Sequence, residues 1–111
     1  MSDKQFPGEF EQMVLLAILR LNDGAYAVPV REEIEERAGR AVARGALYTT
    51  LERLEAKGYL ASRMSDPTPE RGGRSRRYFE VTAQGVQSLQ HAQEAMASLR
   101  QGLESVLGKS S

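Results

Sequence analysis

Ten basic side chains crowd the middle of this chain: Arg37, Arg40, Arg44, Arg53, Lys57, Arg63, Arg71, Arg74, Arg76 and Arg77. Only Glu52, Glu55, Asp66 and Glu70 stand among them, so residues 37–77 carry a net charge of plus six. The chain as a whole is neutral, which leaves minus six for the remainder. Nine of the ten bases are arginine, whose planar guanidinium grips a phosphate through two parallel hydrogen bonds where lysine offers a point charge. Charge separated in this way is the footprint of a surface that binds a polyanion, nucleic acid above all. A merely solvated surface is the competing reading, and the preponderance of arginine weighs against it.

Other chemistry is poorly supplied. There is no cysteine, hence no disulfide framework, thiolate nucleophile or cysteine-held metal. His91 is the single histidine, too few for a triad or a multi-histidine metal site within one subunit. Glu32, Glu33, Glu35 and Glu36 read as a solvated helix face, and His91 as an exposed residue or one near a subunit seam. No glycine-rich phosphate loop follows a strand, and no nucleophile stands beside a base. An enzyme is not expected, nor a metal or cofactor. The apolar run at residues 13–19 is preceded by acids, lacks a signal-peptide cleavage pattern and is too short to span a bilayer. The expectation is a soluble, cytoplasmic protein.

The elements that must carry the bases follow from periodicity. Residues 1–8 are polar and read as a flexible N-terminus. Residues 9–21 read as a helix that is apolar nearly all round, with Phe10, Met13, Val14, Leu15, Leu16, Ile18 and Leu19. Such a helix needs cover on two sides, and in a chain of 111 residues a second subunit is the natural second cover. Asn22-Asp23-Gly24 is a turn signal. Pro29 suits the first position of a second helix, which buries Val30, Ile34 and Ala38 and ends at Gly39. Residues 43–58 read as a third helix, anchored along Leu47, Leu51 and Leu54 and stopped by Gly58. Its other side carries Gly45, Thr49 and Glu52, flanked by Tyr48 and Arg53. Two helices joined by a short glycine-bearing turn make a helix-turn-helix pattern, and the outward N-terminal turn of the second can enter a major groove.

Residues 59–65 and 77–82 alternate as strands do. Between them lies a loop tipped by Arg71, Gly72, Gly73 and Arg74, with Arg76 and Arg77 at its exit. Helix, helix and a hairpin with a basic, glycine-bearing tip describe a winged helix, whose wing can lie along phosphates or reach into the minor groove. A last helix is expected from residue 83 to about 107, with Leu89, Ala92, Met96, Leu99, Leu103 and Val106 spaced as an a/d heptad seam. At roughly 1.5 Å per residue such a helix would be roughly 40 Å long, more than a small domain can cover. Gly102 weakens it by roughly 1 kcal/mol against alanine. The expected architecture is therefore mainly α with a small β-hairpin. A winged helix-turn-helix DNA-binding domain occupies residues 9–82, a long C-terminal dimerisation helix residues 83–107, and a tail residues 108–111. Phe10, Val14 and Leu16 of the first helix are expected to join the Leu89–Val106 seam in the dimer interface.

Two stretches resemble the PadR family of bacterial transcriptional regulators. One is Leu-Tyr-Thr-Thr-Leu-Glu-Arg-Leu-Glu-Ala-Lys-Gly-Tyr-Leu at 47–60; the other is Gly-Gly-Arg-Ser-Arg-Arg-Tyr-Phe-Glu-Val-Thr-Ala-Gln-Gly at 72–85. The resemblance covers about residues 10–107 and is closest to the short subfamily with one C-terminal helix. It implies a winged-helix homodimer that represses genes from a palindromic operator on double-stranded DNA and is released by a small-molecule effector. Mapped by position, it puts the recognition-helix tyrosine at Tyr48 and the small DNA-approaching residue at Gly45. The wing pattern falls on Gly72, Gly73, Arg74, Arg76 and Arg77. This chain departs from the family by having Arg44 where a serine or threonine is common, Tyr26-Ala27 where a Tyr-Gly pair is common, and no tryptophan. The first departure leaves the recognition helix without a capping side chain. The alternative function is a winged helix used only for protein–protein assembly, which would not need arginines on both recognition helix and wing.

Overall fold

The structure, a computed structural model, describes residues 6–66 and 75–108. In chain order the elements are helices α1 (Glu9–Leu21), α2 (Ala27–Ala38) and α3 (Arg44–Ala56), strands β1 (Leu60–Met64) and β2 (Arg77–Val81), then α4 (Ala83–Arg100) and the short α5 (Glu104–Leu107). A single 3-10 turn, Asn22–Gly24, joins α1 to α2. The winged helix-turn-helix expected from the sequence is the fold found.

Residues 7 and 8, expected to be frayed, are tied down. Gly8 donates its N–H to the Glu11 carboxylate at 3.0 Å, and the Gln12 amide donates to the Pro7 carbonyl at 2.9 Å. The first helical N–H groups have no partner within a helix, and Glu11 reaching back is the usual remedy. One side of α1 is buried through Val14, Leu15, Ala17 and Ile18, while Leu16 and Leu19 stay exposed. Helix α2 starts two residues before the expected Pro29. Proline is accommodated there because the first turn needs no N–H donors from its own residues. Gly39 ends α2 in the left-handed region, φ +64°. The Glu35 carboxylate then accepts the Val42 N–H at 3.0 Å, which fixes the turn leading into α3.

Helix α3 buries Leu47, Thr50, Leu51 and Leu54. It closes as a Schellman motif, with Gly58 N–H on the Glu55 carbonyl and Tyr59 N–H on the Leu54 carbonyl, around a φ of +84° at Gly58. The strands are antiparallel, with Leu60 opposite Val81, Ser62 opposite Phe79 and Met64 opposite Arg77. Opposed residues share a face, so Leu60 and Phe79 turn inward and Ala61, Arg63, Tyr78 and Glu80 outward. Phe79 N–H donates to the Ala25 carbonyl at 2.8 Å, which ties the hairpin to the start of α2. The core is one cluster, running from Val14, Leu15 and Ile18 through Val30, Ile34, Val42, Leu47, Leu51 and Leu54 to Leu60, Phe79 and Leu89.

The expected single helix to residue 107 is corrected. Helix α4 stops at Arg100, Gly102 takes φ +88°, and only one further turn, α5, follows. An 18-residue helix spans roughly 27 Å rather than roughly 40 Å. The heptad spacing ran through Gly102, where the conformational freedom of glycine outweighs the apolar pattern. Leu89 and Ala92 are buried in the chain's own core, Met96 and Leu99 are exposed on α4, and Leu103 and Val106 are exposed beyond the break. The seam is thus split between intrachain packing and open surface. The Gln93 amide, 2.6 Å from the Gln12 side-chain oxygen, holds α4 on α1.

Candidate nucleic-acid interface

The outward side of α3 presents Arg44, Gly45, Tyr48 and Thr49, all exposed. Ala43 supplies no side-chain cap, as expected, so the first N–H groups of α3 face outward at the positive end of the helix dipole. A methyl group added at Gly45 would meet nothing within 4 Å. Arg44 and Tyr48 border a hollow of about 190 Å³ whose far wall is the first turns of α2, at Ala27, Val28 and Arg31. Neither the Arg44 nor the Tyr48 side chain has a hydrogen bond or ion pair among the described residues. Both are available to an incoming anion.

The remaining bases divide sharply. Arg53 and Lys57 lie 3.6 Å and 3.1 Å from the Glu11 carboxylate. Arg77 pairs with Glu55 and donates to the Ser62 hydroxyl. Arg37 pairs with Glu33, and Arg40 pairs with Glu9 while lying over the Phe10 ring, 4.9 Å from its centre. The bare excess of plus six is therefore partly neutralised by Glu33, one helical turn before Arg37, and by Glu9 and Glu11, which packing brings back onto the segment. Charge counted along a chain cannot see such returns. Arg53 and Arg77 remain on the exposed side, but each already has a carboxylate.

Glu33 and Glu35 are not the solvated face expected of them. Glu33 accepts from Arg20 at 2.9 Å and from Arg37, joining α1 to α2. Those two hydrogen bonds hold its carboxyl below the usual carboxylate range. Burial alone would push the Glu11 carboxyl up. The Gly8 N–H, the Lys57 hydrogen bond and the charges of Lys57 and Arg53 together outweigh burial and leave it lowered.

At the base of the wing, Arg76 lies over the Tyr26 ring at 4.2 Å and Arg63 over the Tyr78 ring at 4.8 Å. The two rings meet edge to face, their centres 5.5 Å apart. Sequence reading missed Tyr26 and Arg63 because their meeting depends on the strand register and on how α2 enters. Alternation of the strands could have put Arg63 and Tyr78 on one face, had the register been known. Arg71, Gly72, Gly73 and Arg74 lie outside the described residues. Of the expected dimer residues, Val14 is fully buried within the chain, and Phe10 is half-buried against the chain's own core. Leu16, Met96, Leu99, Leu103 and Val106 are open on the surface.

Two helices meeting at a short turn, the second with an open N-terminal face, and a hairpin alongside define a winged helix-turn-helix protein. The model of the transcriptional regulator PadR-like family matches residues 15–91. The chain belongs to that family. The fold is also that of a PadR-like transcription factor from Bacteroides fragilis (TM-score 0.72, 24% identity, 90% of this chain and 91% of that one). A PadR family transcription regulator from Clostridium difficile R20291 is similar (TM-score 0.70, 22% identity, covering 89% and 99%). So is one from Eggerthella lenta DSM 2243 (TM-score 0.68, 24% identity, covering 92% and 88%). No curated protein matches the chain significantly. No helix among the described residues is long and apolar enough to cross a membrane.

Proposed function

We propose that this chain is a sequence-specific DNA-binding repressor that sits as a homodimer on a palindromic operator and leaves it when a small-molecule effector binds. The observation that carries the reading is the outward face of α3. Its uncapped first turn, the unpaired Arg44 and the half-exposed Tyr48 converge on one hollow with the start of α2. A phosphate is the anion such a helix end takes up, and Gly45 with Thr49 leaves room for α3 to approach base edges. The wing, through Arg71, Gly72, Gly73, Arg74 and Arg76, would reach the flanking phosphates or minor groove. In this reading Arg53 and Arg77 serve DNA only by exchanging their carboxylate partners for phosphate.

The dimer part rests on the apolar surface that the single chain leaves open. Leu16 and Leu19 on α1, Met96 and Leu99 on α4, and Leu103, Val106 and Leu107 beyond it are all exposed. Residues 9–82 would read DNA and residues 83–107 would pair the subunits, placing two recognition helices about 34 Å apart on successive major grooves. The effector part rests on family membership. A hollow of about 310 Å³, floored by Met13, Leu16 and Ile34 and rimmed by Arg20 and Arg37, adjoins the same open surface and suits a small amphipathic molecule.

The test is selection of duplex DNA from a random pool, followed by a salt series on the selected site. A two-fold symmetric site and a steep fall of affinity with salt are expected. Replacing Arg74 and Arg76 by alanine should weaken binding across related sites and make the slope shallower by about one for each phosphate that the wing no longer holds. A protein that selects no sequence and binds duplex DNA without salt dependence would return the fold to the protein-assembly reading.

A further inference from the structure

We infer that Tyr26 and Tyr78 are positioning residues that hold Arg76 and Arg63 as ready-set phosphate ligands, which makes Arg63 part of the DNA-binding surface. The inference rests on the DNA-binding reading above. Four side chains from three stretches of the sequence form one ladder. Arg76 stands over Tyr26 at 4.2 Å, Tyr26 meets Tyr78 at 5.5 Å with the rings inclined by 73°, and Arg63 stands over Tyr78 at 4.8 Å. Tyr26 stands at the N-terminal boundary of α2, where its side chain makes no capping hydrogen bond, and Tyr78 and Arg63 are directly opposed across the hairpin.

How an arginine is held decides what it can still do. A carboxylate partner occupies the N–H edge of the guanidinium, the same edge a phosphate uses. An aromatic ring takes only its face and leaves the five donors free. Arg77 also lies over a ring, that of Phe79 at 5.2 Å, but its N–H edge is already taken by Glu55 and Ser62. Its neighbour Arg76 is held by its face, and so is Arg63; neither has an ion-pair partner among the described residues. Glu80 shares the outward face but makes no ion pair with Arg63. An arginine fixed by its face loses less side-chain freedom when a phosphate arrives.

Position agrees with this role. Tyr26 is followed at once by Ala27 and Val28, which wall the hollow beside Arg44 and Tyr48. The ladder therefore extends the surface from the recognition-helix end, past the start of α2, to the base of the wing. Nothing else among the described residues presents two unpaired guanidinium edges on one continuous support.

The experiment measures affinity of the full chain for its selected duplex over a salt series. If the native protein binds no duplex, the functional reading has failed and not the ladder. Given native binding, Tyr26→Phe and Tyr78→Phe keep the rings and should bind with native affinity and slope. Tyr26→Leu and Tyr78→Leu should bind about threefold to tenfold more weakly, with a shallower slope although no charge has been removed. Arg63→Ala should reduce the slope by about one. Thermal melting checks that each variant is folded; should a leucine variant unfold, the exposed Arg63→Ala decides alone. Leucine variants with the native slope overturn the inference, as does Arg63→Ala with the native slope. A phenylalanine variant as weak as its leucine counterpart also overturns it, because the hydroxyl would then be the group that binds.

Discussion

Lys57 Nζ lies 3.1 Å from the Glu11 carboxylate, which fastens the first turn of α1 to the far end of the recognition helix. The same carboxylate accepts the Gly8 N–H at 3.0 Å and faces Arg53. Its pKa is lowered from 4.5 despite burial, so the ionised form is the one the fold prefers. A carboxyl lowered on folding contributes stability above its unfolded pKa, and that contribution fades as pH falls through the folded value. Replacing Glu11 by glutamine should therefore destabilise the protein at pH 7 by about 1.5–3 kcal/mol, the range for hydrogen bonds to a charged group. Urea midpoints of native and variant should converge once both are measured well below the ordinary carboxylate range. A gap of constant size from neutral to acid pH would remove the ionised carboxylate from the explanation.

A tighter constraint sits where the hairpin hands over to α4. Thr82 caps that helix, accepting the Gly85 N–H at 3.0 Å while donating to the Gly58 carbonyl at 2.7 Å. A Cβ on Gly85 would stand 2.3 Å from the Tyr59 carbonyl oxygen and 2.8 Å from a methyl of Val81. The first of these is backbone and cannot swing aside. Gly85→Ala is expected to destabilise the fold by about 2 kcal/mol or more, as overpacking does, although alanine is the better helix former. Equal urea midpoints would mean that the Tyr59 strand entry yields more freely than its hydrogen bonds imply.

Much of this fold is legible in the sequence because its signals are local. Leu47, Leu51 and Leu54 repeat at helical spacing, Gly58 stops α3, and paired strands flank the glycine-bearing loop. The wrong boundary of the last helix has one cause: the heptad at Leu89–Val106 is an average over many residues, whereas the local turn at Gln101 (ψ 130°) and Gly102 (φ +88°) ends the helix. The site was less legible than the fold. Arg44, Gly45, Tyr48 and Thr49 stand on the outward face as periodicity requires. Which arginines are free depends on acids brought from Glu9 and Glu11 by tertiary packing. The meeting of Tyr26 with Tyr78 likewise needs the hairpin register and the entry to α2, neither of which spacing alone specifies.

The open apolar surface leads to a prediction about assembly. Met96 and Leu99 are 52% and 75% exposed, so the single chain gains little from them. Met96→Asp with Leu99→Asp should leave the monomer fold within about 0.5 kcal/mol, as surface substitutions generally do. In the homodimer the same pair would bury two charges per subunit without partners. Light scattering should report monomers, and operator affinity should fall as the second half-site goes unused. A double variant that remains dimeric would move the interface off α4.

The recognition helix itself is tested by two small changes of opposite character. Gly45 lies in the first turn of α3, and a methyl group there meets nothing within 4 Å. In the free protein Gly45→Ala should be neutral or stabilising by up to about 0.5–1 kcal/mol, since alanine gives up less freedom in a helix. If α3 enters a groove at this turn, the same methyl must press on DNA, and overpacking of that kind costs about 1–3 kcal/mol of binding. Tyr48→Phe changes no shape, and removing a hydrogen bond to phosphate should weaken binding by about 1 kcal/mol while melting stays native, because Tyr48 is 45% exposed and unpartnered. The uncapped N–H groups at residues 44–46 supply a direct readout. Their hydrogen exchange should slow on a saturated operator complex, because a phosphate would then complete the cap that Ala43 lacks. Unchanged exchange there, with Gly45→Ala binding as the native protein does, would place the DNA-binding face elsewhere than the start of α3.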